Sequence, residues 1–233
     1  MSTTLDGENW PAGFAVQPRQ TTLTQKLLTA FKQVPVAHAG DVMGRHTGAV
    51  GLSAYHNDLG LTMCGTAITV RTRPGDNLMV HVAIQRAQPG DIIVIDGGGD
   101  LSTAVIGGLM RTTAIARQLG GFVIDGALRD VAEWAEGILP VYARGHVHRG
   151  PSKDGPGQIN TPISCAGMTV MPGDLILGDA DGVIAIPASE AEAILSLCQS
   201  QAEQEARIRA QNETGKIDRE RFDSILRKKG CPL

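Results

Sequence analysis

Four β-branched aliphatic residues in a row, Ile92-Ile93-Val94-Ile95, set the strongest limit on the fold. Neighbouring residues of a strand point to opposite faces, so an unbroken apolar run describes a strand covered on both sides. A turn, Pro89-Gly90-Asp91, precedes the run, and a glycine loop, Asp96-Gly97-Gly98-Gly99-Asp100, follows it. The flanking segments extend the pattern. Residues 65–72 alternate as a strand, and Pro74-Gly75-Asp76 makes a turn. Residues 77–86 read as a helix with Asp76 or Asn77 as its cap. Residues 102–118 read as a helix, and 122–124 as a strand. The order βαβαβ argues for a parallel or mixed sheet with helices on it.

The rest of the chain adds layers to this sheet. Residues 1–20 are polar and punctuated by Pro and Gly, and read as an extended arm packing on a neighbouring subunit. Leu23, Leu27, Leu28 and Phe31 recur at helical spacing and predict a helix over 22–34, with a short one over 36–44. Past residue 140 the character changes. A strand at 141–144 leads into a Gly/Pro-rich loop over 145–157, and short strands follow at 163–165, 168–171, 175–177 and 183–186. Their turns are Pro172-Gly173-Asp174 and Asp179-Ala180-Asp181-Gly182. Pro-Gly-Asp thus recurs at 74, 89 and 172, each time beside a strand, which hints at repeated turn chemistry. From Ser189 the chain is helical, with an apolar stripe of Ile194, Leu195, Cys198, Ala202 and Ile208, and a last helix covers 218–228. The division expected is an arm at 1–20, one domain at 21–215 and a helical tail at 216–233.

Composition bounds the function. The 233 residues carry a net charge of −3 with no basic cluster, so neither a nucleic-acid nor a membrane surface is expected. No run approaches the length of a membrane span, and the first residues lack a secretory pattern. Cys64, Cys165, Cys198 and Cys231 form no CxxC pair, which fits a reduced, cytoplasmic setting.

The chemistry concentrates in residues 107–134. Gly107-Gly108 falls in a helix-like run, where glycine costs roughly 1 kcal/mol relative to alanine. Two in succession need a reason. One is a close helix–sheet contact. The other is an anion held by exposed backbone N–H groups. Arg129-Asp130 follows an apolar strand at the edge where open α/β sheets place ligands. A guanidinium there binds a carboxylate bidentately, and an adjacent Asp holds Mg²⁺. Glu133 lies one helical turn further on.

Other constellations are weaker. The loop at 96–100 fails the G-x-G-x-x-G spacing and reads as a tight turn lining a crevice, which leaves methyl-donor binding without a loop. His146 and His148 share one strand face, but no third metal ligand accompanies them at a known spacing. Residues 179–182 lack the later Glu of a calcium loop and read as a hairpin turn. No lysine lies in an apolar strand, which weakens a Schiff-base mechanism.

Gly108, twenty residues, Arg129-Asp130, two residues, Glu133 resembles the G-x20-R-D-x2-E/D signature of one family. That family contains regulator of ribonuclease activity A and the class II 4-hydroxy-4-methyl-2-oxoglutarate aldolases. Pro74-Gly75-Asp76-Asn77, the segment at 123–130 and the segment at 178–183 are also similar, and the likeness spans roughly 35–215. The resemblance implies a swivelling β/β/α fold, an α/β class single domain layered like an α/β/β/α sandwich, with a mixed sheet core and C-terminal helices. It implies trimers or dimers of trimers with sites between protomers. It also implies divalent-metal-dependent cleavage of 2-oxo acids that releases pyruvate, with oxaloacetate decarboxylation alongside. Asp130 would then be the direct ligand of Mg²⁺ or Mn²⁺, with Glu133 contacting the metal through water. Glu203 of a neighbouring subunit would do the same. Arg129 would bind the substrate and stabilise the enolate oxygen. Gly107, Gly108, Leu109 and Met110 would line the pyruvate site, with the backbone at Leu109 and Met110 holding the carboxylate. The loop over 149–157 would cover the pocket. One departure bears on the substrate: the characterised aldolases of this pattern carry Asp where this chain has Gly108. The alternative from the same family is a non-catalytic regulator that binds a ribonuclease or another protein.

Overall fold

The computed structural model describes residues 10–20, 22–216 and 219–232. Residues 1–9 of the expected arm, and 217, 218 and 233 of the tail, lie outside the described residues. The first half of the chain runs β1 (Ala15–Val16), α1 (Gln25–Phe31), α2 (Val36–Val42), β2 (Ser53–Ala54), β3 (Met63–Thr72), α3 (Leu78–Arg86) and β4 (Ile92–Asp96). Next come β5 (Ala104–Ile106), α4 (Gly108–Ala116), β6 (Gly121–Leu128), α5 (Val131–Ala135) and β7 (Val141–His146). The last part holds β8 (Gly157–Ile159), β9 (Ile163–Cys165), β10 (Met168–Val170), β11 (Leu175–Asp179), β12 (Gly182–Ile186), α6 (Ala191–Glu213) and α7 (Arg219–Lys228).

β4 has the place its apolar run demands. It pairs in parallel with β3 on one side and β6 on the other, in the order β1-β8-β3-β4-β6-β7-β2. Ile93 and Ile95 face a cluster with Met79 and Ala83 of α3, Ala114 of α4 and Trp134 of α5. Ile92 and Val94 face a second cluster with Cys165, Met168, Ile176 and Val183. A third cluster seals the outer side of β11 and β12 against Phe31, Ala39, Ile194 and Cys198 of α1, α2 and α6. The layers are therefore helix, sheet, second strand layer, helix, in one mixed-sheet α/β domain. β3 ties the two strand layers together: Met63–Thr66 pair antiparallel with β11, and Ala67–Arg71 pair in parallel with β4.

The helix expected over 102–118 is a correction. Its first part is β5, which pairs with the end of β6 (Ala104↔Ala127, Ile106↔Leu128), and α4 begins only at Gly108. Val105 and Ile106 are β-branched, and ladder bonds to β6 outweigh the helical reading of the window. Gly107, with φ −156 and ψ −170, is the extended residue between strand and helix. The described part of the arm is extended and joins its own chain: β1 runs parallel to β8, and Arg19 binds Asp91 through two bonds of 2.8 and 2.6 Å. The apolar stripe of α6 is buried at Ile194 and Cys198, whereas Ala202 is exposed. Among the described residues no helix is long and apolar enough to cross a membrane.

The glycine loop at 96–100 is a tight turn with its amides engaged. Gly97 and Gly99 donate to the Asp125 carbonyl, and Gly98 donates to the Asp96 carboxylate. The three Pro-Gly-Asp turns share a left-handed glycine, at φ 76, 84 and 88, and a buried aspartate. Residues 179–182 form the hairpin turn between β11 and β12, and Asp179 also takes the Val36 N–H at 2.8 Å, anchoring α2.

Trp134 braces the end of β6. It is fully buried, meets Phe122 edge-on at 5.8 Å, and donates its indole N–H to the Arg129 carbonyl at 2.9 Å. Trp134→Ala should cost about 3–5 kcal/mol of unfolding free energy in urea titration, the usual range for a buried large aromatic. A loss below about 1 kcal/mol would contradict this bracing role.

Candidate functional site

Two backbone segments build the site. One is the passage from β5 into α4 at Gly107-Gly108, and the other is the turn from β6 into α5 at Arg129-Asp130. They are tied by the Arg129 N–H to the Ile106 carbonyl (3.0 Å) and by the Gly108 N–H to Asp130 Oδ2 (2.8 Å). Asp130 is left-handed, at φ 61 and ψ 43, a conformation that Asp tolerates better than most residues. That twist turns its carboxylate back toward the start of α4. Arg129 Nε lies 3.7 Å from the same Oδ2, with both side chains about two-fifths exposed (41% and 40%).

The glycines are explained by contact. A Cβ on Gly107 would stand 2.5 Å from Asp130 Oδ2 and 3.0 Å from Arg129 Cγ. A Cβ on Gly108 would overlap the Glu133 carboxylate. Glu133 therefore fills the room that a side chain at 108 would occupy. The departure noted in the sequence has a structural counterpart: residue 108 has no carboxylate, and Glu133 brings one to that place. The expectation of free N–H groups at a helix start holds in part. Gly108 N–H is taken by Asp130, and Met110 N–H bonds the Gly107 carbonyl at 3.1 Å. Leu109 N–H has no hydrogen-bond partner among the described residues, and the Leu109 side chain is 86% exposed.

A cavity of about 120 Å³ lies against these segments. Gly107, Leu109, Met110, Arg129 and Asp130 line it. So do Asn77, just before α3, His81 within α3, and Pro151 and Lys153 from the loop after β7. Gly108 and Glu133 flank the cavity rather than line it. Lys153 lies in the loop expected to cover the pocket and Asn77 in a segment similar to the family, whereas His81 is not singled out by the sequence. Beside a turn signal, Asn77 reads as a candidate cap of α3. In the structure Asp76 Oδ1 takes the Leu78 N–H at 2.9 Å, while Asn77 Nδ2 reaches the Val105 carbonyl at 3.0 Å. The helical spacing from Asn77 to His81 was a signal for a shared face. Burial lowers the pKa of His81, and the Lys153 charge pushes it the same way, so its imidazole is neutral near pH 7.

The other candidates lie elsewhere. His146 Nδ1 meets the Tyr55 hydroxyl at 3.1 Å, and His148 is exposed. Glu203 on α6 does not line this cavity. Its side chain is 77% exposed and lies 3.9 Å from Arg207. Among the described residues no group of three or more His, Cys, Asp or Glu is placed to enclose a metal. A hard divalent cation needs fewer protein ligands: Mg²⁺ typically takes one or two carboxylates and completes its shell with water and substrate oxygens. Asp130 and Glu133, brought to the same glycine pair, fit that requirement.

The chain is similar to several known proteins, which identify its family and fold. A protein from Halalkalibacterium halodurans, provisionally named a 4-hydroxy-4-methyl-2-oxoglutarate aldolase, is 39% identical over 184 residues, 78% of this chain and 87% of the relative. The 4-hydroxy-4-methyl-2-oxoglutarate aldolase of Thermus thermophilus is 32% identical over 112 residues, 48% of this chain and 68% of the relative. The structure of Streptomyces coelicolor RraAS2, described as an unusual member of the RNase ES inhibitor RraA family, superposes with a TM-score of 0.74. It is 25% identical, over 82% of this chain and 99% of that one. The profile of the RraA-like family, described as aldolase/RraA, matches residues 35–185, and the chain belongs to that family.

Proposed function

We propose that this chain is a divalent-metal-dependent lyase that cleaves a carbon–carbon bond of a 2-oxo acid and releases pyruvate. The substrates in this reading are 4-hydroxy-2-oxo acids, by retro-aldol cleavage, and oxaloacetate, by decarboxylation. The observation that carries it is the convergence of Arg129, Asp130 and the Glu133 carboxylate on a glycine pair beside a small cavity. The names of the two aldolase relatives support the same class.

Each side chain has a task. Arg129 offers a planar pair of N–H donors to the substrate carboxylate or 2-keto oxygen, and its charge stands where negative charge develops as the bond breaks. Leu109 N–H, free at the start of α4, offers a further donor to the carboxylate. Asp130 would hold Mg²⁺ or Mn²⁺, with Glu133 reaching it through water. When bound, the cation supplies Lewis-acid stabilisation of the charge on the 2-keto oxygen. In either reaction the electrons of the broken bond pass into the pyruvyl enolate: the retro-aldol substrate gives up its 4-hydroxyl proton as the second carbonyl forms, oxaloacetate releases CO₂, and C3 then takes a proton. Glu133 stands where a side chain at 108 would be and is the carboxylate available to pass that proton by way of water. Lys153 lines the same cavity and adds positive charge there, suited to the second carboxylate of the substrate.

The assembly in this reading is a cytoplasmic trimer or dimer of trimers. Glu203 of a neighbouring subunit would approach the site through water. The exposed second half of α6, on which Glu203 lies, supports that placement. A second reading draws on the inhibitor family named for the Streptomyces coelicolor structure: a non-catalytic protein that binds a ribonuclease. Capture of ribonuclease E by a chain that releases no pyruvate would favour it.

Arg129→Ala and Asp130→Ala should each lower pyruvate release from oxaloacetate, read by a coupled lactate dehydrogenase assay, by about 100-fold or more. EDTA should abolish release and added Mg²⁺ or Mn²⁺ should restore it, and full activity in EDTA would sink the metal assignment. The carboxylate exchange makes a third expectation. Glu133→Ala should lose activity, and Gly108→Asp in that background should recover part of it. Gly108→Asp with Glu133 intact should be poor, because the two carboxylates compete for one space.

A further inference from the structure

Asp76 is a fully buried carboxylate outside the catalytic set. Its Oδ2 accepts from the Ser152 hydroxyl at 2.6 Å, the Asp154 N–H at 2.7 Å and the Gly155 N–H at 3.1 Å. Its Oδ1 accepts from the Leu78 N–H at 2.9 Å, at the start of α3. The other two Pro-Gly-Asp turns supply the contrast. Asp91 and Asp174 each close their own turn, accepting the N–H three residues back, from Gln88 and Met171, at 2.8 Å. Asp76 makes no such backbone bond: it pairs with the Arg73 side chain of its own turn at 3.6 Å and turns its carboxylate to a loop more than seventy residues away in sequence. Burial alone would raise its pKa, but the Ser152 hydroxyl and the backbone N–H groups outweigh it and hold the carboxyl below the usual range, so the anchor is an anion.

Lys153 is the residue between two of these anchors. Ser152 and Asp154 are both fixed on one oxygen, and the segment is further held by the Asn77 N–H to the Ser152 carbonyl and the Ser152 N–H to the Gly75 carbonyl. The backbone of Lys153 is thus placed without any bond to its own ammonium. The other end of the carboxylate holds the first turn of α3, which carries Asn77 and His81 into the same cavity. One buried group therefore sets two walls of the cavity against each other. We propose that Asp76 is a positioning residue of the site, fixing the 152–155 loop so that Lys153 is presented to the bound 2-oxo acid. The proposal rests on the lyase reading for its kinetic consequence, while the tether itself is independent of that reading.

The test is a double-mutant cycle on the full chain with Mg²⁺ present. Asp76→Asn keeps the shape but turns an amide N–H₂ or a weaker acceptor toward the Asp154 and Gly155 N–H groups. Alone it should lower kcat/KM for oxaloacetate on the order of 10- to 100-fold, the scale of a small misplacement. Lys153→Ala should do the same. Together they should cost clearly less than the product of the two effects, since residues acting through one another are not additive. Effects that multiply would overturn the proposal, because a merely structural Asp76 would weaken the enzyme whatever stood at 153. Ser152→Ala, which keeps three of the four bonds, covers the case in which Asp76→Asn fails to fold and should follow the same pattern in smaller measure.

Two readings that need no activity accompany the cycle. Amide exchange at 154 and 155, and limited tryptic cleavage after Lys153 read by mass spectrometry, should both speed up in the Asp76 or Ser152 variant. No change in either would overturn the tether. A wild type that releases no pyruvate would end the lyase reading, and these two measurements would still decide the tether.

Discussion

Where β5 passes into α4, the chain runs so close to the turn after β6 that residues 107 and 108 have no room for a Cβ. The rest of the site depends on this approach. It lets the Asp130 carboxylate accept the first N–H of α4, brings Arg129 beside it, and leaves Glu133 against the backbone of Gly108. The approach is held from below and from the side. Trp134 binds the Arg129 carbonyl from the core, and the Arg129 N–H continues the ladder to Ile106. Glycine here serves proximity at two consecutive positions, and the left-handed turn at Asp130 aims the carboxylate.

Another part of the cavity wall has a different origin. It comes from α3 and from the loop after β7, segments distant in sequence, and a buried carboxylate joins them. An ionised group with no exposure is costly unless its oxygens are well bonded, and Asp76 has four donors around it. The cavity is thus bounded by a strand-end turn and by a carboxylate clamp. The first carries the charges of the proposed 2-oxo acid site, and the second carries Lys153 and a neutral His81.

Much of this was legible in the residues. The run Ile92–Ile95 demanded a doubly covered strand, and it has one, with alternate side chains in two different clusters. Arg129-Asp130 after an apolar strand pointed to a strand-end site. What sequence hid was mostly tertiary. Ala104–Ile106 looked helical in its window and became a strand because the end of β6 offered it a ladder. No local signal shows that Asn77 and Lys153 share a cavity, which forms only once the Asp76 clamp is closed. Gly108 looked like a missing carboxylate because no spacing rule shows that Glu133, twenty-five positions on, returns to the same point in space.

The central claim is that Asp130 and Glu133, gathered at the glycine pair, are the metal-holding end of a 2-oxo acid site. The most direct measurement is anomalous diffraction from crystals of the full chain soaked with Mn²⁺ and oxalate, a stable mimic of the pyruvate enolate. The account predicts a manganese peak in contact with the Asp130 carboxylate, with Glu133 on its water shell and oxalate reaching toward Arg129. A peak placed away from Asp130, or oxalate bound with no metal at this turn, would contradict it.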